Sequence, residues 1–198
     1  MNSKENERIG IFGGSFDPPH KGHLHIAKLF IKKLKLKKLI WSVSNKNPLV
    51  KKKYFYNFKQ RKILSKKITS NNKNIKINDF DKKYSYQLLN VLKKKYKDKK
   101  LFFLIGSDNI KFLHKWKKLS SILNTSTLVI ISRPSYQKEI KKTVFYKKNH
   151  KYLLKNYDAH DILPKKAWIY IKDKGVKISS SNIKNRLYKL KTDYKFEK

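Results

Sequence analysis

The fold is decided by the stretch GIFGGSFDPPHKGHLHIAKLF, Gly10 to Phe30. An apolar run from Ile9 to Phe12 ends at Gly13-Gly14, the pattern of a short buried strand. Asp17-Pro18-Pro19 then imposes an extended turn, because proline fixes its own φ and keeps the preceding residue out of the helical region. Beyond the turn, Leu24, Ala27, Phe30, Ile31 and Leu34 recur at helical spacing and predict a helix from about residue 22 to 36. Gly13 and Gly14 lack Cβ atoms, so their backbone N–H groups can approach a ligand phosphate closely. The turn delivers His20 and His23 to the start of the helix, and Gly22 keeps that start open. Free amides and the helix dipole favour an anion there.

The two familiar phosphate loops are absent, since neither G-x-G-x-x-G nor G-x-x-x-x-G-K-[ST] occurs. A zinc site on His20, His23 and His25 is disfavoured. His25 lies two residues from His23 and so does not share its helix face, and no thiolate or carboxylate cluster completes the set. No metal ligand is expected from the protein.

Working outward, Leu39–Val43, Ile75–Ile77, Leu101–Gly106, Thr127–Ser132 and Trp168–Ile171 read as further strands. LFFLIG and TLVIIS are uninterrupted apolar runs, as strands buried on both faces are. Helices are expected over Phe58–Ile68, with Ile63, Leu64 and Ile68 as its apolar positions, over Tyr86–Tyr96 and Asn182–Leu190, and briefly around Ile110–His114. The stretch from 135 to 165 is lysine-rich and weakly patterned. Strands alternating with helices imply an α/β fold, a Rossmann-like parallel sheet with helices on both faces. Ligands in such folds bind beyond the carboxyl ends of the strands. The 198 residues fit a single domain over 1–198 with a substantial core.

The formal net charge is +38, and all but four of the 51 basic residues are lysine (the arginines are Arg8, Arg61, Arg133 and Arg186). A surface of this kind can neutralise nucleic-acid phosphates. The lysines are spread along the whole chain, however, and Lys, Asn, Ile, Phe and Tyr all have A/T-rich codons. A mutational origin fits better than a specific nucleic-acid site, and the charge still attracts nucleotides. The chain has no cysteine, which excludes disulfides and thiolate chemistry. No run approaches the ~18 apolar residues of a membrane span. MNSKENERIG has no apolar run and does not read as a signal peptide, so a cytoplasmic location is expected.

Three further stretches carry chemistry. Asp108, in IGSD after a buried strand, offers two acceptor oxygens suited to a ribose diol, while Ser107 or Asp108 would equally cap a helix. Trp116 presents a flat ring that suits an aromatic ligand or ordinary core packing. ISSSNIKNR, Ile178 to Arg186, places hydroxyls and free N–H groups at a helix start, for phosphates or simple N-capping.

The pattern G-x-F-G-G-S-F-D-P-P-H-x-G-H resembles the signature of the H-x-G-H nucleotidyltransferases, and within them the bacterial nicotinate-nucleotide adenylyltransferases. IGSD, Trp116, LVIISRP (Leu128 to Pro134) and ISSSNIKNR agree with that family. SNKNPLVKK and YSYQLL resemble its loop after the second strand and its mononucleotide-contacting segment. The resemblance spans roughly residues 8 to 187. It implies transfer of AMP from ATP to nicotinate mononucleotide, giving deamido-NAD and pyrophosphate, with Mg²⁺ carried on the ATP phosphates. His20, His23 and Lys184 would be the catalytic residues. ATP would be held by Gly13, Gly14, Ser15, Phe16, His20, His23, Gly106, Asp108, Ile178, Ser179, Ser180 and Lys184. The mononucleotide would meet Ser15, Lys51, Ser85, Tyr86, Gln87, Trp116 and Arg133. Lys184 stands where the family has Arg, losing the bidentate fork. Ser181 and Gln87 each replace a Thr. The alternatives are phosphopantetheine adenylyltransferase, whose closing motif is similarly serine-rich with Lys, and a basic nucleic-acid-binding protein. Monomer and homo-oligomer are both left open.

Overall fold

A computed structural model describes residues 7–45, 54–78, 82–132, 140–155, 164–173 and 180–196, with side chains in the last helix described as far as Tyr188. The chain begins with β1 (Arg8–Gly14), α1 (Lys21–Lys33) and β2 (Lys38–Val43), followed by α2 (Phe58–Thr69) and β3 (Ile75–Ile77). Next come α3 (Ser85–Lys95), β4 (Lys100–Gly106), a 3-10 segment (Ser107–Lys115), α4 (Leu119–Thr125) and β5 (Thr127–Ile131). The described chain closes with α5 (Val144–Asn149), β6 (Leu153–Leu154), β7 (Trp168–Ile171) and α6 (Ser180–Phe196).

The strands form one sheet in the order β3-β2-β1-β4-β5-β7-β6. Every pairing is parallel. The alternation of side chains along each strand explains why the central strands read as unbroken apolar runs. Leu101, Phe103 and Ile105 of β4 join a core on one face with Leu89 of α3, Ile122 of α4 and Phe145 of α5. Phe102 and Leu104 join the opposite core with Ala27, Phe30 and Leu34 of α1. Both faces are therefore covered, as a parallel sheet requires.

Two parts of the sequence reading need correction. The weakly patterned stretch holds α5 and β6. Thr143 caps α5 by accepting the Tyr146 N–H at 3.2 Å, and the Trp168 indole N–H donates to Asn149 O at 2.8 Å. Too few residues separate these caps for a periodic pattern to develop. The second correction is α2. The spacing places Ile63 on an apolar face, yet it is 55% exposed, and Arg61, Ser65 and Thr69 are buried instead. At Arg61 the reason lies at the carboxyl edge of the sheet, where the carbonyls of Ser15, Ser44 and Asn45 face this helix and take its guanidinium donors.

Candidate active site

β1 carries Gly13 and Gly14 to the carboxyl edge, where they are paired with Ser42 and Val43 of β2. The chain then turns through Phe16, whose φ of 48° lies in the left-handed region that a bulky residue rarely occupies. Packing holds it there. The Phe16 ring stacks on Trp41 at 4.3 Å and meets Phe12 edge-on at 5.1 Å. A Cβ on Gly14 would lie 3.0 Å from the Phe16 ring, so a larger residue there would force the ring to give by a few tenths of an ångström. Asp17 is buried, and its carboxylate accepts the N–H groups of Phe55 and Tyr56, each at 2.9 Å.

His20 is the N-cap of α1, as the Asp-Pro-Pro turn predicts. Its backbone N–H donates to Nδ1 of His23 at 3.3 Å. A neutral imidazole that accepts at Nδ1 carries its proton on Nε2, so His23 holds an Nε2–H donor. The two ring centres lie 3.8 Å apart, and the Phe16 ring meets His23 in a T-shaped contact with ring centres 5.0 Å apart. Backbone and packing thus fix both tautomer and ring position. His25 points elsewhere, its Nε2 3.0 Å from Asp173 at the end of β7. Among the described residues no three His, Cys, Asp or Glu side chains are grouped to hold a metal.

These residues face a cavity of 670 Å³ at the carboxyl ends of β1, β2 and β4 and the start of α6. Gly13, Gly14, Ser15, Phe16 and His23 line it from the first loop, while His20, predicted to line it too, is not among the lining residues and has its ring centre 3.8 Å from that of His23. Gly106, Asp108 and Trp116 line it from the β4 side. Gly106 is the N-cap of the 3-10 segment, and Asp108 lies in its first turn. Trp116 lies against Phe103 at 6.1 Å and also forms cavity wall.

From the far end of the sequence, Ser180, Ser181 and Lys184 of α6 reach the same cavity. The Ser180 hydroxyl donates to Pro18 O at 3.0 Å, and Lys184 Nζ is 3.5 Å from the Asp17 carboxylate. Lys82, Lys83, Lys115 and Lys117 add positive charge to the lining, where the acidic side chains among the described residues are Asp17 and Asp108. This balance favours a polyanionic ligand.

The structure does not bring every predicted residue to the cavity. Ser85 lines it, but Tyr86 packs against the core and Gln87 Oε1 accepts the Tyr84 N–H at 3.2 Å, closing the start of α3. Tyr84 takes the place on the wall, with Lys83 and Lys117 5.4 and 5.0 Å from its ring centre. The predictions for Lys51, Arg133, Ile178 and Ser179 lie outside the described residues.

Sequence reasoning missed Arg61, which is 1% exposed. Its Nη1 donates to Ser15 O at 2.6 Å and Ser44 O at 2.7 Å, Nη2 to Asn45 O at 3.0 Å and Nε to Tyr56 O at 3.2 Å. Its guanidinium lies 4.2 Å from the centre of the Tyr54 ring. Burial pulls its pKa below the usual arginine range, opposed by Tyr54 and Asp17. A signal existed in the sequence: Arg61, Ser65 and Thr69 share one helix face, and Arg61 is the lone arginine in a helix rich in lysine.

Residues 11–186 match the profile of the cytidylyltransferase-like family. Over 149 residues the chain is 38% identical to a Pelagibacter ubique protein named probable nicotinate-nucleotide adenylyltransferase, covering 74% of this chain and 82% of that one. Over 139 residues it is 34% identical to the nicotinate-nucleotide adenylyltransferase of Bacillus subtilis, covering 67% and 73%. A Plasmodium falciparum nicotinic acid mononucleotide adenylyltransferase complexed with NaAD has the same fold, with a TM-score of 0.66 at 19% identity over 89% of this chain and 82% of that one. The chain belongs to the cytidylyltransferase-like family, among its nicotinate-nucleotide adenylyltransferases.

Proposed function

We propose that this chain, as a single nucleotidyltransferase domain, transfers AMP from ATP to nicotinate mononucleotide and releases deamido-NAD and pyrophosphate. The observation that carries the reading is convergence. A glycine loop from β1, an Nε2–H donor from His23 and the Ser180–Lys184 end of α6 all face one cavity. The mononucleotide phosphate attacks the α-phosphorus of ATP in line, and pyrophosphate leaves with the electron pair of the broken P–O bond. The protein supplies no nucleophile. It contributes position and charge.

In this reading His23 donates from Nε2 to an α-phosphate oxygen as negative charge grows there. His20 holds the His23 tautomer through its backbone N–H. The amides of Gly13 to Phe16 approach the phosphates, and Ser180 and Lys184 take the β- and γ-phosphates at the start of α6. Asp108 accepts from ribose hydroxyls, and Trp116 stacks on the pyridine ring. Mg²⁺, which neutralises triphosphate charge, arrives on the phosphates. The donor set around the cavity fits an ion held through phosphate and water oxygens, because Asp17 is already engaged by two backbone amides and a lysine.

No helix among the described residues is long and apolar enough to cross a membrane. Small nucleotides in the cytoplasm are the proposed partners, with no specific nucleic acid. Mass-spectrometric identification of the products after incubation with ATP, Mg²⁺ and nicotinate mononucleotide tests the reading. Deamido-NAD is the expected product; adenylylated phosphopantetheine in a parallel incubation with phosphopantetheine, with no deamido-NAD from the mononucleotide, would replace the reading.

A further inference from the structure

We infer that Arg61 is a positioning residue for this reaction: it gathers the carbonyls of Ser15, Ser44, Asn45 and Tyr56 on one guanidinium and so sets the spacing of the two loops that wall the β1–β2 side of the cavity. The inference rests on the reading that both nucleotides meet in that cavity.

Arg61 is not itself part of the cavity wall, whereas Ser15, Ser44 and Tyr54, on the segments it holds, are. It therefore acts through others. The clasp is reciprocal. Arg61 reaches from α2 to the β1 loop at Ser15 O, and from that loop Asp17 reaches back to the N–H groups of Phe55 and Tyr56. The same arginine fastens the end of β2 at Ser44 and Asn45 and the entry to α2 at Tyr56.

The chemistry of the pair explains why the residue is arginine. Strand ends at the carboxyl edge leave carbonyls without sheet partners, and a buried carbonyl needs a donor. A guanidinium offers five donors in a fixed plane, enough for three segments at once, and its face packs on the Tyr54 ring. A lysine offers donors from a single point and cannot span the same set. Burying a cation is unfavourable compared with an apolar residue of similar size. Simple helix packing would be better served by Leu or Met at 61, as it is by Phe30 in α1. The residue at 61 instead serves the loops, whose placement decides how the reacting phosphates are held.

Steady-state pyrophosphate release by the full chain tests this. Wild type, Arg61→Lys and Arg61→Ala are compared with each substrate varied, at a temperature where circular dichroism finds every variant fully folded. The expected kcat/KM for nicotinate mononucleotide falls about tenfold in Arg61→Lys and about a hundredfold in Arg61→Ala, the latter being what a misplacement of about 1 Å costs. Millimolar guanidinium chloride, and not potassium chloride at equal ionic strength, recovers part of the loss in Arg61→Ala. A variant that melts lower but keeps wild-type KM values and kcat per folded molecule overturns the inference, because an unfolded fraction scales kcat and leaves KM alone. If neither variant folds, Arg61 is a determinant of the fold and the inference is overturned. A wild-type chain that releases no pyrophosphate overturns the reading of the site, and the inference with it. An active wild type with unaffected variants overturns the inference alone.

Discussion

α1 and α2 each follow a strand and each pack beside the cavity, yet they are held in opposite ways. α1 buries Ala27 and Phe30 in an apolar core, and Leu34 continues that face just past its end. α2 buries Arg61, Ser65 and Thr69, and it leaves Ile63 in solvent. The apolar helix carries His23, the donor proposed for the reaction, and is held by packing. The polar helix carries the clasp, in which Arg61 makes directional hydrogen bonds to the carbonyls of Ser15, Ser44, Asn45 and Tyr56, while the Thr69 hydroxyl donates to Ser65 O within its own helix. The difference teaches that near the ligand edge of a parallel sheet a helix is selected for the carbonyls it must satisfy as much as for the apolar area it covers.

The comparison can be broken first at Phe30. It is fully buried under α1, so Phe30→Ala should lower unfolding stability by about 3–5 kcal/mol in urea titration. A loss below about 1 kcal/mol would mean that α1 is not held by packing. His23→Ala should reduce kcat about 100- to 1000-fold, as loss of one preorganised donor does, with little change in melting temperature. Near-wild-type turnover would remove His23 from the reaction.

Smaller effects sharpen the contrast on α2. Asn57 caps that helix by accepting the Gln60 N–H at 2.9 Å, so Asn57→Ala should cost about 1 kcal/mol. The Ser65 hydroxyl is buried with no hydrogen-bond partner among the described residues. Ser65→Ala should therefore be neutral or stabilise by up to about 1 kcal/mol, and a clear loss in thermal unfolding would show that the whole polar face, not Arg61 alone, holds α2. Ile63→Ala, exposed on the same helix, should shift stability by less than about 0.5 kcal/mol, and a larger loss would restore the apolar-face reading.

Most of the fold was legible because its signals are local. LFFLIG and TLVIIS announce buried parallel strands, and the spacing from Leu24 to Leu34 announces α1. Much of the candidate site was legible for the same reason, since the glycines, His20, His23, Asp108 and Trp116 sit in compact motifs. For Tyr86 and Gln87 the sequence leaves open what one helix start decides: which of four neighbouring side chains faces the cavity. Tyr84 and Ser85 line it, Gln87 closes the helix start, and Tyr86 turns to the core. The stretch around α5 was opaque because six residues held by caps leave no period to read.

By itself, the sequence determined the strand–loop–helix unit at Gly10 to Phe30, the parallel α/β order and the residue types able to grip a triphosphate. All of these follow from apolar periodicity, missing Cβ atoms and fixed proline torsions, which act between near neighbours. Only the tertiary structure decided that Ser180 meets Pro18, that Lys184 meets Asp17 and that a buried Arg61 joins three segments. Those contacts are between backbone carbonyls, a carboxylate and side chains far apart in the chain, and a carbonyl leaves no mark on the sequence of the residue that bears it.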